Sequence, residues 1–198
     1  MAQVSRNPRP LFVTALPTAP SDGMEVYFQS TTTGTGGGST TMEGAGVVWH
    51  LRYREAGASG KKWEVIAAPR IGDSIGNGTI ATGESTASTT YTALTTAGPV
   101  VTLPLAGDYE VTLGFTGYNG NTSAVSSMSY DIGVTGAVDA DAVQVGQSNA
   151  AANAYAAATK TRLKTGLTAV TLTSKYKASA GTSAFWNRYL VVRPTRVG

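Results

Sequence analysis

The sequence has 198 residues, enough for one domain or for one domain and a small module. Only 14% of the residues are charged, against about 25% in typical soluble domains, and there is no cysteine, which excludes disulfides and thiolate zinc sites. No apolar run reaches the roughly 20 residues of a membrane-spanning helix. The N-terminus also lacks the apolar core of a secretory signal. We therefore expect no membrane insertion, and synthesis in a cytoplasm.

Residues 1–16 predict an extended attachment arm. Pro8 and Pro10 prevent a regular helix and bias the residues before them towards extended backbone. Such an arm is either disordered or held by another subunit. The side chains that we expect to anchor it are two basic and two apolar ones: Arg6, Arg9, Leu11 and Phe12.

Residues 17–70 predict a small β module. Strands are expected at 24–30, 47–56 and 62–68 because Val, Tyr, Phe and Trp are frequent there, and a Gly/Thr-rich loop separates the first two. Alternation places Trp49 on the buried face of its strand. We expect Trp49 and Trp63 to face each other across a hairpin, because a module of this size needs large side chains for a core. The predicted module core is Tyr27, Trp49, Tyr53 and Trp63.

Residues 71–88 are rich in Gly, Ser and Thr and predict a linker or long loop. From 89 to 198, eight short strands with turn signals between them predict a jelly-roll-like β-sandwich, so the fold class is all-β. The strands are expected at 89–94, 100–105, 108–118, 128–134, 141–147, 159–167, 169–178 and 185–197. The alanine-rich segment 148–158 fits either a short helix or a strand of small residues.

The sequence offers no convincing catalytic, cofactor or metal site. His50 is the single histidine, which leaves no second histidine for a metal pair. Asp139 and Asp141 have the spacing of two calcium ligands, but the rest of a calcium loop is missing, so a solvated turn is the better interpretation. Asp108 and Glu110 lie on one strand, whereas glycosidase carboxylates usually come from separate strands. We expect no enzyme and no cofactor.

No acidic residue follows Asp141, and the C-terminal part of the chain is therefore basic. These cations are either a solvated edge that blocks sheet aggregation or a contact for an acidic partner. We expect no nucleic-acid partner, because aromatic residues are not interleaved with the cations. The candidate acidic-partner face consists of Lys160, Arg162, Lys164, Lys175 and Lys177.

The polar stretch TGYNGNTS at 116–123 is a candidate ligand loop. Short polar loops on a rigid sandwich suit contacts with glycans. Its candidate residues are Tyr118, Asn119 and Asn121.

The first half of the chain resembles a module of structural proteins of tailed bacteriophages. The similar pattern is Leu-Pro-x-x-Pro-x-Asp-Gly-x-x-Val-Tyr, then Trp-x-x-Arg-Tyr, then Lys-Trp-Glu. It falls on Leu16, Pro17, Pro20, Asp22, Gly23, Val26, Tyr27, Trp49, Arg52, Tyr53, Lys62, Trp63 and Glu64. The second half is similar, more weakly, to the jelly-roll heads of phage fibres and spikes.

The resemblance implies a non-enzymatic virion protein, usually a homotrimer, that attaches to other virion proteins through its arm and displays its C-terminal domain outward. Two roles stay open. One is a tail-tip or fibre component that binds a bacterial surface glycan. The other is a capsid decoration protein or head fibre that the arm anchors to the shell.

Overall fold

The computed structural model describes residues 10–29, 48–57, 60–68, 70–73, 83–96, 98–146 and 155–198. Within these ranges the regular structure is β-strand, apart from one turn of 3-10 helix. The all-β prediction is confirmed. The strands are β1 (Leu11–Val13), β2 (Glu25–Gln29), β3 (Val48–Tyr53), β4 (Trp63–Ala67), β5 (Ile71–Asp73), β6 (Glu84–Thr86), β7 (Val100–Thr102), β8 (Gly107–Asn119), β9 (Val125–Ile132), β10 (Val143–Gly146), β11 (Ala156–Leu167), β12 (Thr171–Ala178) and β13 (Ser183–Val197), and η1 (Asp139–Asp141) is the 3-10 helix.

The strands form two sheets that pack face to face. The larger sheet has the order β1-β2-β3-β4-β13-β8-β11, and β5 and β6 also pair with β13. The smaller sheet has the order β10-β9-β12-β7. Taken from β6 to β13, the two four-strand orders are β6-β13-β8-β11 and β7-β12-β9-β10. This is the strand arrangement of a jelly roll, in which consecutive strands repeatedly cross between the sheets.

The predicted strands differ from the observed ones at the start of this jelly roll. Residues 89–94 form only an isolated bridge, between Thr92 and Tyr176. The first strand is instead β6, which lies in the segment 71–88 predicted as linker, together with β5. Pairing with β13 holds both short strands, a long-range contact that composition does not reveal. Of the segment 148–158, the end from Ala156 is strand, and 148–154 lie outside the described residues.

The N-terminal strands continue the larger sheet. β1 pairs in parallel with β2, β2 and β3 are antiparallel, and β3 and β4 form the predicted hairpin. A turn precedes β2, and its Gly23 has φ +78°, a conformation that L side chains rarely adopt. β4 then pairs with β13 through Glu64 opposite Arg196 and Trp63 opposite Val197. The sheet therefore runs without interruption from the predicted module into the sandwich.

The two tryptophans do not face each other as predicted. Trp63 lies opposite Tyr53, with ring centroids 5.4 Å apart, whereas Trp49 lies opposite Phe28 of β2. Trp49 is fully buried, and its ring is 6.4 Å from that of Tyr109 in β8. The ladder between β3 and β4 ends at His50, so Trp49 lies beyond the reach of β4. The core of the N-terminal strands thus merges with that of the sandwich.

Candidate functional site

Three aromatic side chains form a stripe across the outer face of the larger sheet. Trp186 lies on β13, Tyr118 on β8, and Tyr155 directly before β11, which are three neighbouring strands. The rings of Tyr118 and Trp186 stack with centroids 5.4 Å apart, and Tyr155 is 5.0 Å from Tyr118 and 5.1 Å from Trp186. Tyr155 is 65% exposed. We call these three residues the aromatic stripe.

A bulge in β13 sets the direction of Trp186. The ladder with β8 shifts register between Trp186 and Tyr189, where two residues of β13 oppose one of β8. Asn187 in the bulge has φ +47°, in the left-handed region that asparagine tolerates better than most residues. Because of the extra residue, Trp186 and Tyr189 both pair with outward-facing positions of β8, and Arg188 turns into the core.

A cavity of about 270 Å³ lies beside the stripe. Its wall includes Tyr118 and Trp186, and a Cβ added to Gly83 would lie only 1.8 Å from the indole nitrogen of Trp186. The backbone of Gly83 therefore packs directly on the ring. The other lining residues are small or polar, with one charged exception: Glu84, Ser85, Gly120, Thr182 and Ala184.

Glu84, the one charged residue in the lining, is turned away from the aromatic stripe. Glu84 pairs in register with the buried Phe185, and its carboxylate oxygens accept the amide of Thr96 at 3.1 and 3.0 Å. Behind it lies Arg188, 2% exposed, whose Nη2 is 4.0 Å from Glu84 Oε1. Burial alone would raise the pKa of Glu84, but the Thr96 hydrogen bonds and the charge of Arg188 lower it. The negative charge of Glu84 is thus balanced by Arg188 and directed away from the aromatic rings.

The predicted ligand residues have separate roles. Tyr118 belongs to the aromatic stripe. Asn119 is fully buried, and its amide donates to Ala180 O at 2.9 Å and to Ser183 Oγ at 2.8 Å. Its Oδ1 accepts the backbone amide of Asn121, so Asn119 organises the turn and is not free to contact a ligand. Asn121 is exposed, with its side chain accepting the amide of Ser123.

A second set of rings lies near the opposite edge of the same sheet. Phe12, Tyr27 and His50 are in register on β1, β2 and β3, with centroid distances of 5.0 Å and 4.9 Å along the set. We call them the arm-side row. His50 Nε2 is 2.9 Å from Glu25 Oε2, and Arg52 Nη2 is 2.6 Å from Glu25 Oε1. The hydrogen bond of Arg52 and then that of His50 lower the pKa of Glu25.

The prediction that Tyr27 belongs to the module core is wrong, and the described part of the arm lies at the edge of the sheet. Tyr27 faces away from the core, and its neighbour Phe28 packs on Trp49 in its place. Phe12 and Leu11 are 66% and 63% exposed at the edge of the sheet. Arg6 and Arg9 lie outside the described residues.

The five predicted acidic-partner cations do not form one open face. Lys175 and Lys177 lie on β12 of the smaller sheet and are paired with Asp131 at 3.4 Å and Asp139 at 2.5 Å. The other three lie on β11 of the larger sheet and turn towards η1: Lys160, Arg162 and Lys164.

Helix η1 stands between the two basic groups, and here the prediction of a solvated turn is wrong for Asp141. That carboxylate is buried and accepts Lys164 Nζ at 2.8 Å, while Arg162 Nε is 4.0 Å away. Asp139 is exposed and accepts Lys177 and the hydroxyl of Tyr91. Two carboxylates spaced by one residue thus join both sheets through η1.

Of the remaining acidic candidates, Asp108 is also engaged in structural contacts. Asp108 accepts Lys61 Nζ at 2.5 Å and the amide of Gly166 at 2.7 Å. Glu110 pairs in register with Leu163 and with Arg193. Within the described ranges, no three His, Asp or Glu residues are grouped closely enough to hold a metal ion. In those same ranges, no helix is long and apolar enough to cross a membrane.

Sequence reasoning missed Trp186 and Tyr155 as site residues. Trp186 sits in the strand predicted at 185–197, and its outward direction depends on a bulge that the alternation pattern does not show. Tyr155 lies within the alanine-rich segment 148–158, where it had no predicted neighbour. Pairing of Ala156 with Gly117 brings Tyr155 beside Tyr118. A lone aromatic in a small-residue segment was the available signal.

No protein-family model matches the sequence, and no curated protein matches it. Among solved structures, a chain from the structure of infectious bursal disease virus Gx strain is similar, with 12% identity and a TM-score of 0.35 over 90% of this chain and 53% of that one. A chain from the Gt strain has 10% identity and a TM-score of 0.34, over 91% and 53%. The present chain thus spans about half the length of either.

Proposed function

We propose that this chain is a non-enzymatic structural protein of a tailed-phage virion, a trimeric tail-tip or fibre component whose sandwich binds a glycan of the bacterial surface. The observation that carries the glycan part is the aromatic stripe beside a neutral cavity. The resemblance of the N-terminal strands to phage structural modules motivates the virion part, and the jelly roll agrees with it. Fold by itself does not assign a function.

The stripe has the chemistry that a sugar ring requires. The C–H groups on one face of a saccharide pack on an aromatic ring, which offers a large apolar surface, and the hydroxyl of tyrosine or the N–H of tryptophan adds a polar group beside it. Here Tyr155 presents an exposed ring, and Tyr118 and Trp186 extend the surface across two further strands. Ser85 and Thr182 offer hydroxyl groups in the adjoining cavity. A surface of this kind is suited to a neutral saccharide.

The charge around the cavity favours neutral over anionic sugars. None of the residues that line it is basic, and its one acid faces Thr96 and Arg188. A phosphate or uronate would therefore lose its hydration without gaining a cation. The proposed ligand site thus keeps Tyr118 of the predicted ligand loop and adds Trp186 and Tyr155.

Intrinsic fluorescence tests this proposal on the purified chain. Trp49 and Trp63 are buried, so a saccharide that stacks on the stripe should change the emission of Trp186. We expect a response to neutral oligosaccharides and a weaker one to uronates. Tyr118→Ala should weaken binding by about tenfold, equivalent to about 1.4 kcal/mol. If no neutral oligosaccharide changes the emission or releases heat in calorimetry, the glycan part is wrong.

A glycine substitution provides the matched control. Gly83→Val would push a side chain into the indole of Trp186 and should abolish binding, because both the ring and the cavity would be displaced. Gly136→Val adds the same group at a position with nothing within 4 Å of the new Cβ. It should bind like the wild type. Equal affinities for the two variants would contradict the placement of the site.

A second candidate function is a capsid decoration protein or head fibre anchored by the arm. The observation that favours it is the exposure of Leu11 and Phe12 on β1. A free sheet edge with apolar side chains is a docking element for another chain. The double change Leu11→Ser and Phe12→Ser should then reduce incorporation into particles and leave a folded protein. Val134→Ser, at another exposed apolar residue, is the control.

The two candidates differ in where the protein sits on the particle. An antibody against the C-terminal domain, imaged with gold on virions by electron microscopy, should label the tail tip under the first proposal. Gold over the head would support decoration or a head fibre. If gold is absent from particles while the antibody binds the free protein, the virion assignment is wrong.

A further inference from the structure

The outer edge of the larger sheet at β11 is a second surface with the properties of a binding site. β11 pairs with β8 on one side, and no other strand of the described residues pairs with it. The strand has twelve residues, so it offers a long row of backbone N–H and C=O groups. Unpaired edges of this length are templates for an added strand, and proteins limit such pairing with charged side chains, proline, bulges or a covering element.

Two of the three cations of β11 are held by contacts on one face of the sheet. Lys160 Nζ donates to the carbonyl oxygens of Ala140 and Ala142 at 3.0 and 2.7 Å, and Lys164 is held by Asp141. On the opposite face, Leu163 is 58% exposed. The cations therefore fold back along one face of the sheet instead of projecting across the free edge.

The cluster nevertheless keeps an excess of positive charge. Arg162 and Lys164 share a single carboxylate, that of Asp141, and Lys160 has no carboxylate partner among the described residues. Lys160 is bound to carbonyl groups, and Arg162 is 4.0 Å from Asp141 with 46% of its side chain exposed. Positive charge beside an open strand favours an acidic partner, both in encounter and in register.

The charges of β11 disfavour its pairing with a second copy of itself. Suppose that two copies of β11 pair antiparallel about a two-fold axis. If the axis passes through residue 162, Lys160 of one strand lies opposite Lys164 of the other. If it passes through residue 161 or 163, Arg162 lies opposite Lys160 or Lys164, respectively. Directly opposed like charges destabilise a strand pair. The central registers of self-pairing are therefore disfavoured.

We propose that β11 binds an extended segment of another protein as an added strand, and that acidic residues alternate with β-branched or apolar ones in this segment. The main-chain hydrogen bonds of the free edge would supply affinity, as in other cases of strand addition. Its acidic side chains would face Arg162 and Lys160, and its other side chains would extend the surface around Leu163. This proposal is independent of the aromatic stripe.

Synthetic peptides with the full-length chain test the proposal. The probe alternates Glu with Val or Thr over nine residues. One control replaces Glu by Lys, and another places proline at alternate positions, which removes backbone donors but keeps the acids. We expect the first peptide to bind in fluorescence anisotropy and to slow hydrogen exchange of β11 amides. Equal binding of the proline peptide would overturn strand addition, because charge would then suffice.

Substitutions identify the charges involved. Arg162→Gln should weaken binding of the acidic peptide by roughly twofold to fivefold, the effect of one exposed ion pair. Arg70→Gln removes an exposed arginine outside β11 and should leave binding unchanged. Circular dichroism checks that both variants are folded. Protection at amides away from β11, or β11 amides already protected in the purified chain by self-association, would each overturn the proposal.

Discussion

The aromatic stripe and the arm-side row are two sets of three rings on the outer face of one sheet, each crossing three strands. They differ in what surrounds them. The stripe adjoins a neutral cavity of about 270 Å³, whereas the arm-side row adjoins Glu25, Arg52 and an edge strand with exposed apolar residues. A concave neutral wall suits a small ring-shaped ligand, and a sheet edge with apolar residues suits another protein chain.

The two sets also differ in what supports them. Beneath the arm-side row lies a continuous apolar layer that includes Phe28 and Trp49. Near the stripe, the core contains a desolvated arginine whose counterion is 4.0 Å away. The same sheet thus carries one surface supported by packing and one supported partly by an ion pair. Substitutions beneath the arm-side row and substitutions near the stripe should therefore affect stability differently.

The largest expected effect comes from removing the apolar support. Trp49→Ala should lower the free energy of unfolding by about 3–5 kcal/mol, because a fully buried indole is replaced by a cavity. Trp186→Ala, on the partly exposed stripe, should cost about 1 kcal/mol. Urea titration followed by circular dichroism measures both. Similar losses for the two variants would show that the stripe is a structural element and not a binding surface.

Removing the counterion of the buried arginine should have the next largest effect. Glu84→Gln leaves the guanidinium of Arg188 buried without a compensating charge and should cost about 3 kcal/mol. Arg188→Met in the same background should restore most of this loss, because the uncompensated charge is then gone. Thermal unfolding of the single and double variants measures the coupling. Additive losses would contradict an ion pair at this site.

The same carboxylate predicts a pH dependence. Because the folded-state pKa of Glu84 is lowered, its ionisation stabilises the protein above the unfolded-state value of about 4.5. That stability should be lost as the pH falls from about 4.5 through the lowered folded value. Glu84→Gln should lack this component of acid sensitivity. Parallel curves of melting temperature against pH for the two proteins would contradict it.

The smallest effect is expected at the arm-side row. Glu25→Gln should lower the melting temperature less than Glu84→Gln, because the contacts of Glu25 with Arg52 and His50 are near the surface and are screened by salt. The pKa of Glu25 is lowered in the folded state, as that of Glu84 is. Its contribution to stability is therefore present at neutral pH and lost on acidification. Glu55→Gln, at an exposed acid, is the control. A larger loss of melting temperature for Glu25→Gln than for Glu84→Gln would contradict this ranking.

Much of the strand pattern could be read from period-two alternation. The segments around Tyr109 and Tyr176 alternate regularly, and both were predicted as strands close to their observed bounds. The short strands β5 and β6 were missed, because three residues with Ser, Thr and Gly neighbours carry no local strand signal. They exist because β13 provides a long strand to pair with.

The candidate site was predictable only in part. Tyr118 was found from its polar loop, but Asn119 was assigned to a ligand although its amide is consumed by the turn. The five cations were grouped by sequence, whereas η1 separates and partly neutralises them. Hydrogen-bond partners from distant strands decide such assignments, and they are not visible in a local pattern.

An all-β chain without disulfides and with two aromatic-rich hairpin strands follows from the amino-acid sequence alone, since alternation, turn residues and cysteine content are local properties. The tertiary structure decided which faces those residues occupy. The bulge at Asn187 turned Trp186 outward, and the end of the β3–β4 ladder left Trp49 to pack on Tyr109. Both outcomes depend on register between strands far apart in the chain, because a shift of one residue moves a side chain to the opposite face of a sheet.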